Sequence, residues 1–305
     1  MVAPPADEHR HGAPEPAPPA VSWAIVRIDL HTHSTVSDGT DAPGEVVAAA
    51  AAAGLDVVAL TDHDSTAGWD EAGAAAREHG IVLVPGMEVS CRAGGVSVHL
   101  LSYLHDPTDA ALLAELELTR DSRLHRAHRM VELLARDLEI TWADVEAQTE
   151  AGTTVGRPHV ADALVALGHV PDRSAAFDSL LATGSRYYVP HHAPDAVHAV
   201  RLVRAAGGVP VMAHPAASVR GAVVGDETIR RMADAGLAGL EAHHRDHTRS
   251  QTQHLLDLAD SLGLLVTGSS DYHGAGKPNL LGERTTAPEV LERIVDQGRW
   301  PVVGR

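Results

Sequence analysis

Residues 27–34, RIDLHTHS, join an apolar extended run to a His-x-His pair. The alternation and β-branched content predict a β-strand. Its last residues carry two imidazoles, His31 and His33, on one face of the strand. Residues 43–54, PGEVVAAAAAAG, follow as a predicted helix, with Pro43 in its first turn and Gly54 at its end. A strand followed by a helix is the first unit of a βα array.

The βα alternation recurs on both sides of a helical stretch. Before it we predict strands at 56–64, 81–90 and 96–104 and a helix at 67–79. After it, helices at 194–206, 226–235 and 248–262 alternate with the strands VPVMAHP, LAGLEAHH and LLVTGSSDYH. The pattern predicts an α/β protein with a parallel barrel, and in such arrays the loops after the strands form the functional face.

The domain organisation follows from where this rhythm breaks. Residues 105–186 read as helices alone, predicted at 108–138, 141–149, 158–167 and 172–182. We therefore expect a small inserted helical domain at 105–186 within a barrel made of 25–104 and 187–305. Residues 1–24, rich in Pro and Ala, are expected to be a disordered tail outside the fold.

Composition restricts the class of protein. The chain has 305 residues, 44% of them hydrophobic and only 3% aromatic, so the core must be built from Ala, Val and Leu. The single cysteine, Cys91, excludes an internal disulfide, and no signal peptide or membrane span is recognisable, so we expect a cytoplasmic protein. A formal net charge of −17 argues against duplex DNA as a partner.

Nine metal-ligand side chains recur at the predicted carboxyl ends of strands. They are His31, His33, Asp38, His63, Glu88, His99, His214, Asp271 and His273. Asp271 and His273 repeat the two-residue spacing of the first His pair, which places both side chains on one face. Six imidazoles and three carboxylates suit Mn, Fe or Zn better than Mg or Ca, because hard cations favour shells made only of oxygen. The sequence therefore predicts a polynuclear metal site.

Several of these residues also have a simpler interpretation. Asp38 lies in SDG, where an aspartate before glycine is ordinary turn chemistry, and a lone strand histidine such as His99 or His214 is more often a core group. Asp62 and Asp64 either orient imidazoles or cap the next helix. His243, His244 and His247 are ambiguous. Lys277, the only lysine, is expected to be a solvated surface charge, with a role at the pocket rim as the alternative.

At this point the chain resembles a known family. DLHTHSTVSDGT, ALTDHDSTAG, GMEVS, His99, MAHP and GSSDYHG resemble, in that order, the PHP (polymerase and histidinol phosphatase) superfamily. GRPHVADAL and SRYYVPHHAP are similar to the branch that hydrolyses 3',5'-nucleoside bisphosphates and, in some members, short RNA from the 5' end. The resemblance implies a distorted (β/α)7 barrel, an insertion over the active site and a trinuclear centre, with Mn as the first choice of metal.

The resemblance also implies how the ligands are shared. His31, His33, Glu88 and Asp271 would hold one metal, and Glu88 would bridge to a second metal held by His99 and His214. Asp38, His63 and His273 would hold the third. Arg157 and His159, at a helix start in GRPH, are expected to bind substrate phosphate. Arg186 is the third residue expected to bind substrate phosphate. It stands where the branch usually has a lysine, which keeps the charge but changes the geometry.

We therefore predict a metal-dependent phosphoesterase that removes the 3'-phosphate of a 3',5'-nucleoside bisphosphate, with short single-stranded oligonucleotides as a further substrate. The sequence has no G-x-S-x-G nucleophile motif, so the attacking group is expected to be a metal-bridging hydroxide. One alternative is a phosphatase for histidinol phosphate or another small phosphomonoester. The other is a catalytically silent, metal-stabilised scaffold.

Overall fold

The computed structural model describes residues 26–149 and 153–304. Seven strands form one sheet with the order β1 to β7, and a parallel bridge between Thr32 and Tyr272 joins its two edges into a nearly closed barrel. The strands are β1 (Ile28–Thr32), β2 (Val57–Leu60), β3 (Val82–Ala93), β4 (Val96–Tyr103), β5 (Val209–Met212), β6 (Gly239–His243) and β7 (Leu265–Gly268). The predicted tail at 1–24 lies outside the described residues.

Ten α-helices occur in the described parts of the chain. They are α1 (Pro43–Ala52), α2 (Trp69–His79), α3 (Ala110–Leu134), α4 (Trp142–Glu146), α5 (Arg157–Ala166), α6 (Arg173–Asp178), α7 (Ala196–Ala205), α8 (Asp226–Asp234), α9 (Arg249–Leu262) and α10 (Pro288–Val295). Two short 3-10 turns, Ser218–Arg220 and Gly274–Gly276, follow β5 and β7. No helix among the described residues is both long enough and apolar enough to cross a bilayer.

The prediction of an all-parallel barrel was wrong at one strand. β4 runs antiparallel to both β3 and β5, whereas the other neighbouring strands are parallel. Gly94 and Gly95, both at positive φ, connect β3 to β4 as a two-residue hairpin turn. Hydrophobic alternation reports which face of a strand is buried but not the direction of the strand, and the Gly-Gly pair was the available indication.

The barrel interior is filled below the rim that carries the polar residues. Alternate residues of the strands, such as Leu30, Val84 and Leu101, point into one buried cluster, as the period of two requires. Tyr103 is fully buried there and its hydroxyl donates to the Leu30 carbonyl at 2.9 Å. This packed layer sets the position along the barrel axis at which the polar side chains of β1 and β3 emerge.

The helices between β4 and β5 surround a separate buried cluster. Met130 and Leu134 of α3 pack there with Val160 and Leu164 of α5 and with Tyr187. This cluster supports the predicted helical insertion, while its boundaries at 105 and 186 stay a prediction. α6 is shorter than predicted, because Asp172 caps its start and the chain leaves helical geometry at Ser179.

Candidate metal centre

β1 and the residue that follows it supply two histidines whose rings meet a glutamate and an aspartate. His31 Nε2 lies 3.2 Å from Glu88 Oε2, and His33 Nε2 lies 3.1 Å from the same oxygen. Both nitrogens lie 3.5 Å from Asp271 Oδ1. All four residues are buried, and their ligand atoms are close enough together to hold one ion. These are the four residues that the sequence resemblance assigned to one metal.

Glu88 is shared by more than one group. Its Oε1 atom lies 2.9 Å from His99 Nδ1 and 3.1 Å from His214 Nε2. Its Oε2 atom lies 3.4 Å from His63 Nδ1, in addition to the two histidines of β1. Burial alone would raise the pKa of this carboxyl, but the surrounding imidazoles hold the pKa of Glu88 well below its usual range. Glu88 is therefore placed as a bridging carboxylate between two groups of ligands.

A third group forms around Asp38. His273 Nε2 lies 3.2 Å from Asp38 Oδ1, and His33 Nδ1 lies 3.6 Å from the same atom. His63 Nε2 is 3.9 Å from Asp38 Oδ2, so this ring faces Asp38 with one nitrogen and Glu88 with the other. The structure brings all nine predicted ligands to one rim. The assignment of His33 to the first ion and of His63 to the third stays a prediction, because His33 also lies with Asp38 and His273, and His63 also lies with Glu88 and His99.

The reversed strand explains the positions of two ligands that do not lie at a carboxyl end. β3 continues beyond Glu88 to Ala93, and His99 lies in the first half of β4, opposite Ser90. Because β4 is antiparallel, its first half lies at the same rim as the carboxyl ends of the parallel strands. The prediction that every ligand ends a strand was therefore wrong for Glu88 and His99.

Two ligands have strained backbones. His214 has a φ of 30° and Asp271 a φ of 56°, values that side-chain-bearing residues rarely adopt. Such strain persists only where the surrounding structure holds it, and it concentrates at functional sites. Here it turns both side chains inward immediately after β5 and β7.

The donor set fits divalent cations. His63 Nδ1 and His273 Nε2 are buried and have no hydrogen-bond partner, although each lies near a carboxylate oxygen. The imidazoles of the site differ in how readily they bind a proton. Burial lowers the pKa of His33 but Asp271 and Glu88 outweigh it and raise that pKa to about 9, whereas burial and Lys277 lower the pKa of His273 to about 4. Metal ions would use every ring in its neutral form.

Buried acids that sequence reasoning missed or left open hold the ligands in place. Glu241 accepts from His31 Nδ1 at 3.0 Å and from the His214 backbone N–H at 2.7 Å. Asp62 accepts from the Ser37 hydroxyl at 2.6 Å, and Ser37 in turn lies 3.3 Å from His33 Nδ1. Such contacts fix the ring orientation of metal ligands. An acid inside an otherwise apolar strand, LAGLEAHH, was the indication for Glu241.

Two cations flank Asp271 on its outer side. Arg220 lies 2.6 Å from Asp271 Oδ2, and Lys277 Nζ lies 3.0 Å from the same oxygen. Of the two interpretations of Lys277, the structure favours the position at the rim over a solvated surface charge, because its ammonium contacts Asp271. Nothing in the sequence indicated Arg220, which reaches the rim from the 3-10 turn after β5. Of the ambiguous histidines, the buried His244 approaches Asp271 most closely, at 3.7 Å.

The predicted phosphate contacts occupy different places. Arg157, at the start of α5, lies over the rings of Phe177 and Tyr188 at 5.2 and 5.7 Å. His159 is buried, and its Nδ1 accepts from the Gly156 N–H at 3.1 Å. Arg186 is mostly exposed and pairs with Asp137 at 3.0 Å, so a substrate contact for it stays a prediction.

A cleft of about 950 Å³ lies beside the centre, between the insertion and the loops after β1 and β7. Thr40, His159, Arg173 and Lys277 are among the residues that line it. Arg173 forms a two-point contact with Asp162 and donates to the Asp38 carbonyl at 3.0 Å, which ties the insertion to the metal centre. A volume of this size suits a small organic ligand.

A barrel with buried imidazoles and carboxylates gathered at one rim is the architecture of a metal-dependent hydrolase. The PHP domain model matches residues 29–187, and the chain belongs to the PHP domain family. The chain is 35% identical over 254 residues to a 3',5'-nucleoside bisphosphate phosphatase from Chromobacterium violaceum, covering 83% of this chain and 89% of that protein. It is 34% identical over 250 residues to a 5'-3' exoribonuclease from Haemophilus influenzae, covering 81% and 90%.

Solved structures agree with the sequence comparisons. A proposed metal-dependent phosphoesterase from Bifidobacterium adolescentis has a TM-score of 0.87 at 44% identity, over 89% of this chain and 96% of that one. The resemblance and the predicted barrel with its helical insertion are therefore confirmed. The chain is a metal-dependent phosphoester hydrolase.

Glu88 gives a direct test of the centre. We expect Glu88→Gln to lower the metal bound per chain by at least one ion, because both carboxylate oxygens are shared among ligand groups and the amide loses the negative charge. Metal content is measured by inductively coupled plasma mass spectrometry after equal loading. The control is Glu78→Gln on α2, where the glutamate is exposed. Equal metal content in both variants would contradict the assignment.

Proposed function

We propose that the protein removes the 3'-phosphate from 3',5'-nucleoside bisphosphates and uses three divalent ions, with Mn as the first choice and Fe or Zn as alternatives. The same site would hydrolyse short single-stranded oligonucleotides from the 5' end. Support comes from the two relatives named for these activities, both about one third identical over most of the chain.

The observation that carries the proposal is that the two carboxylate oxygens of Glu88 contact two different groups of histidines. One carboxylate that contacts five imidazole nitrogens, buried at 1% exposure, is costly unless cations share it. When bound, such ions lower the pKa of water and neutralise the non-bridging oxygens of a phosphate. A complete set of nine ligands is difficult to reconcile with a silent scaffold.

The chain's own residues supply binding and orientation. Lys277 lines the cleft and also contacts Asp271, so its ammonium stands where a phosphate entering from the cleft would meet it. Arg220 adds a second positive charge at the same carboxylate. Glu241 and Ser37 hold His31 and His33 in fixed orientations, and this lowers the reorganisation needed when substrate arrives.

The cleft supports the oligonucleotide substrate. Its volume of about 950 Å³ is near the upper end of ordinary small-ligand pockets, roughly 300–1,000 Å³. Its lining includes Lys277, which contacts Asp271, and residues of α5 and α6, and we take this extent as room for chain beyond a mononucleotide.

A substrate panel tests the proposed activity. With metal content measured and Mn added, we expect phosphate release from adenosine 3',5'-bisphosphate to exceed release from adenosine 3'-phosphate, adenosine 5'-phosphate and histidinol phosphate. A preference for histidinol phosphate would favour the small-phosphomonoester alternative. No turnover of any of these by fully loaded protein would favour the scaffold.

Arg157 is expected to act on substrate and not on metal. Because Arg157 belongs to the insertion and lies outside the ligand groups, Arg157→Ala should raise KM about 10- to 100-fold, as for loss of a charge-assisted hydrogen bond. Metal content should be unchanged. Steady-state kinetics with the bisphosphate measures the effect, and an unaltered KM would remove Arg157 from this role.

A further inference from the structure

A second cavity opens at the rim, between the loop after β6 and the start of α9. Its volume is about 340 Å³, and it shares no lining residue with the 950 Å³ cleft. No described residue between β4 and β5 lines it, so it lies apart from the helical insertion. We call it the β6 cavity, and its walls include His243, His244, His247, Arg249, Thr252 and Arg284.

The described residues that line the β6 cavity are hydrogen-bond donors, and none is an acid. They are three histidines, two arginines, one threonine and one glutamine. Among residues 26–149 and 153–304, no carboxylate pairs with Arg249 or Arg284, and the Arg284 guanidinium donates to the carbonyl of its neighbour Glu283 at 2.9 Å. In a chain with 41 acidic and 24 basic side chains, this concave surface is locally positive. Its charge suits an anion.

Two polar side chains of the cavity are not used by the fold. In the described parts of the chain, the His243 ring and the Thr252 hydroxyl have no hydrogen-bond partner. His247 is different, because its Nδ1 donates to the Ala242 carbonyl at 2.9 Å and its Nε2 accepts from the Ala216 N–H at 3.2 Å. His247 therefore fixes the wall, while His243 and Thr252 remain available to a ligand.

The position of Arg249 opposes the dipole of its own helix. Arg249 is the first residue of α9, a helix of 14 residues with no acidic residue in its first turn. The N-terminal end of a helix carries a partial positive charge, and its first N–H groups have no partner inside the helix. Thr248 caps the Gln251 N–H at 3.3 Å. The helix dipole repels an arginine at this end, and an anion in the cavity would stabilise both.

His244 forms the wall between the β6 cavity and the metal centre. Its side chain is fully buried, and its Nε2 lies 3.7 Å from Asp271 Oδ2. Its ring centroid lies 5.6 Å from that of His214. The 950 Å³ cleft reaches the same aspartate through Lys277. The metal centre therefore adjoins two separate cavities, and a substrate longer than one nucleotide can extend into either.

Charge and openness decide what the β6 cavity holds. The cleft is lined by Asp162 and Asp172 as well as by cations, so the β6 cavity is the more positive of the two. Arg249 and Arg284 are exposed, and water and salt screen exposed charges, so a small free anion would bind weakly. A phosphate tethered to a group already held at the metal centre binds at a high effective concentration. Positively charged grooves that follow the backbone are the usual sites for single-stranded nucleic acid.

We infer that the β6 cavity binds the phosphodiester that follows the scissile phosphate of an oligonucleotide substrate. The inference rests on the proposed function, since it places the chain of that substrate. The scissile phosphate lies at the metal centre, and the next phosphate contacts Arg249 and Arg284, to which His243 and Thr252 add donors. A guanidinium binds phosphate through two parallel N–H groups. A mononucleotide ends before the cavity, so the site acts on longer substrates.

Short oligonucleotides of graded length test the site in the metal-loaded enzyme. A 5'-phosphorylated trinucleotide has the phosphodiester that the cavity binds, and the dinucleotide lacks it. The ratio of kcat/KM for the trinucleotide to that for the dinucleotide should fall about 10-fold in Arg284→Gln and in Arg249→Gln, as for loss of a hydrogen bond to a charged group. A dinucleotide that carries a 3'-phosphate should behave as the trinucleotide does, because it places a phosphate in the cavity without a third nucleoside.

Arg293→Gln is the matched control, since it removes the same charge. Arg293 lies on α10, is exposed and lines neither cavity, so this variant should keep the ratio. The salt dependence gives a second measurement. The slope of log kcat/KM for the trinucleotide against log salt should become less steep by about 0.7 in each cavity variant, as for one lost phosphate contact to a single strand. A purely structural effect would leave that slope unchanged.

The inference and the proposed function can fail separately. An unchanged ratio in both cavity variants, or an equal fall in Arg293→Gln, would overturn the site. A wild type that hydrolyses neither oligonucleotide refutes the oligonucleotide activity of the proposed function. The Kd of a trinucleotide with non-hydrolysable methylenephosphonate links, measured by calorimetry on the metal-loaded chain, then decides the site. It should rise about 10-fold in Arg284→Gln, and an equal Kd would contradict the inference.

Inorganic phosphate separates a substrate site from a site for the free ion. If the cavity belongs to the substrate chain, inhibition by inorganic phosphate should be the same in the wild type and in Arg284→Gln. Inhibition weakened as much as trinucleotide binding would assign the cavity to free phosphate and overturn its assignment to an oligonucleotide.

Discussion

The structure depends on one buried carboxylate, Glu88, and on the imidazoles that surround it. Its two oxygens contact five histidine nitrogens at 2.9–3.4 Å, and those histidines come from β1, β4 and the loops after β1, β2 and β5. A buried anion requires compensation, and a shared carboxylate with neutral imidazoles is compensated by divalent ions. The barrel therefore places ligands that are far apart in the sequence around a single carboxylate.

The barrel needs both parallel and antiparallel strands to bring these ligands together. β3 extends past the rim and presents Glu88 from its middle, while β4 returns antiparallel and presents His99 from its first half. The sequence predicted the ligand types and the rim, because His-x-His and Asp-x-His spacing reports a shared face. It did not predict strand direction, since alternation is the same for either direction. It also missed Glu241 and Arg220, whose roles come from contacts between residues far apart in the chain.

The distribution of charge is uneven, with local positive charge near the metal centre of an acidic chain. The chain is acidic as a whole, yet Lys277 and Arg220 lie at Asp271, and the insertion carries Arg123, Arg126 and Arg157 close to one another. Positive charge placed inside a negative surface focuses an anionic substrate on the site. The insertion contributes to this through α3 and α5, and through Arg173, which holds it against the Asp38 loop.

A crystal structure of the full chain purified with Mn, with anomalous difference maps collected near the Mn edge, tests the central claim most directly. The account predicts at least two ion peaks in contact with Glu88, one for each carboxylate oxygen, at roughly 2.0–2.3 Å. Further ligands to these ions should come from His31, His33, His99 and His214. Ions bound elsewhere, or a Glu88 carboxylate that contacts no ion while the protein retains its metal, would contradict it.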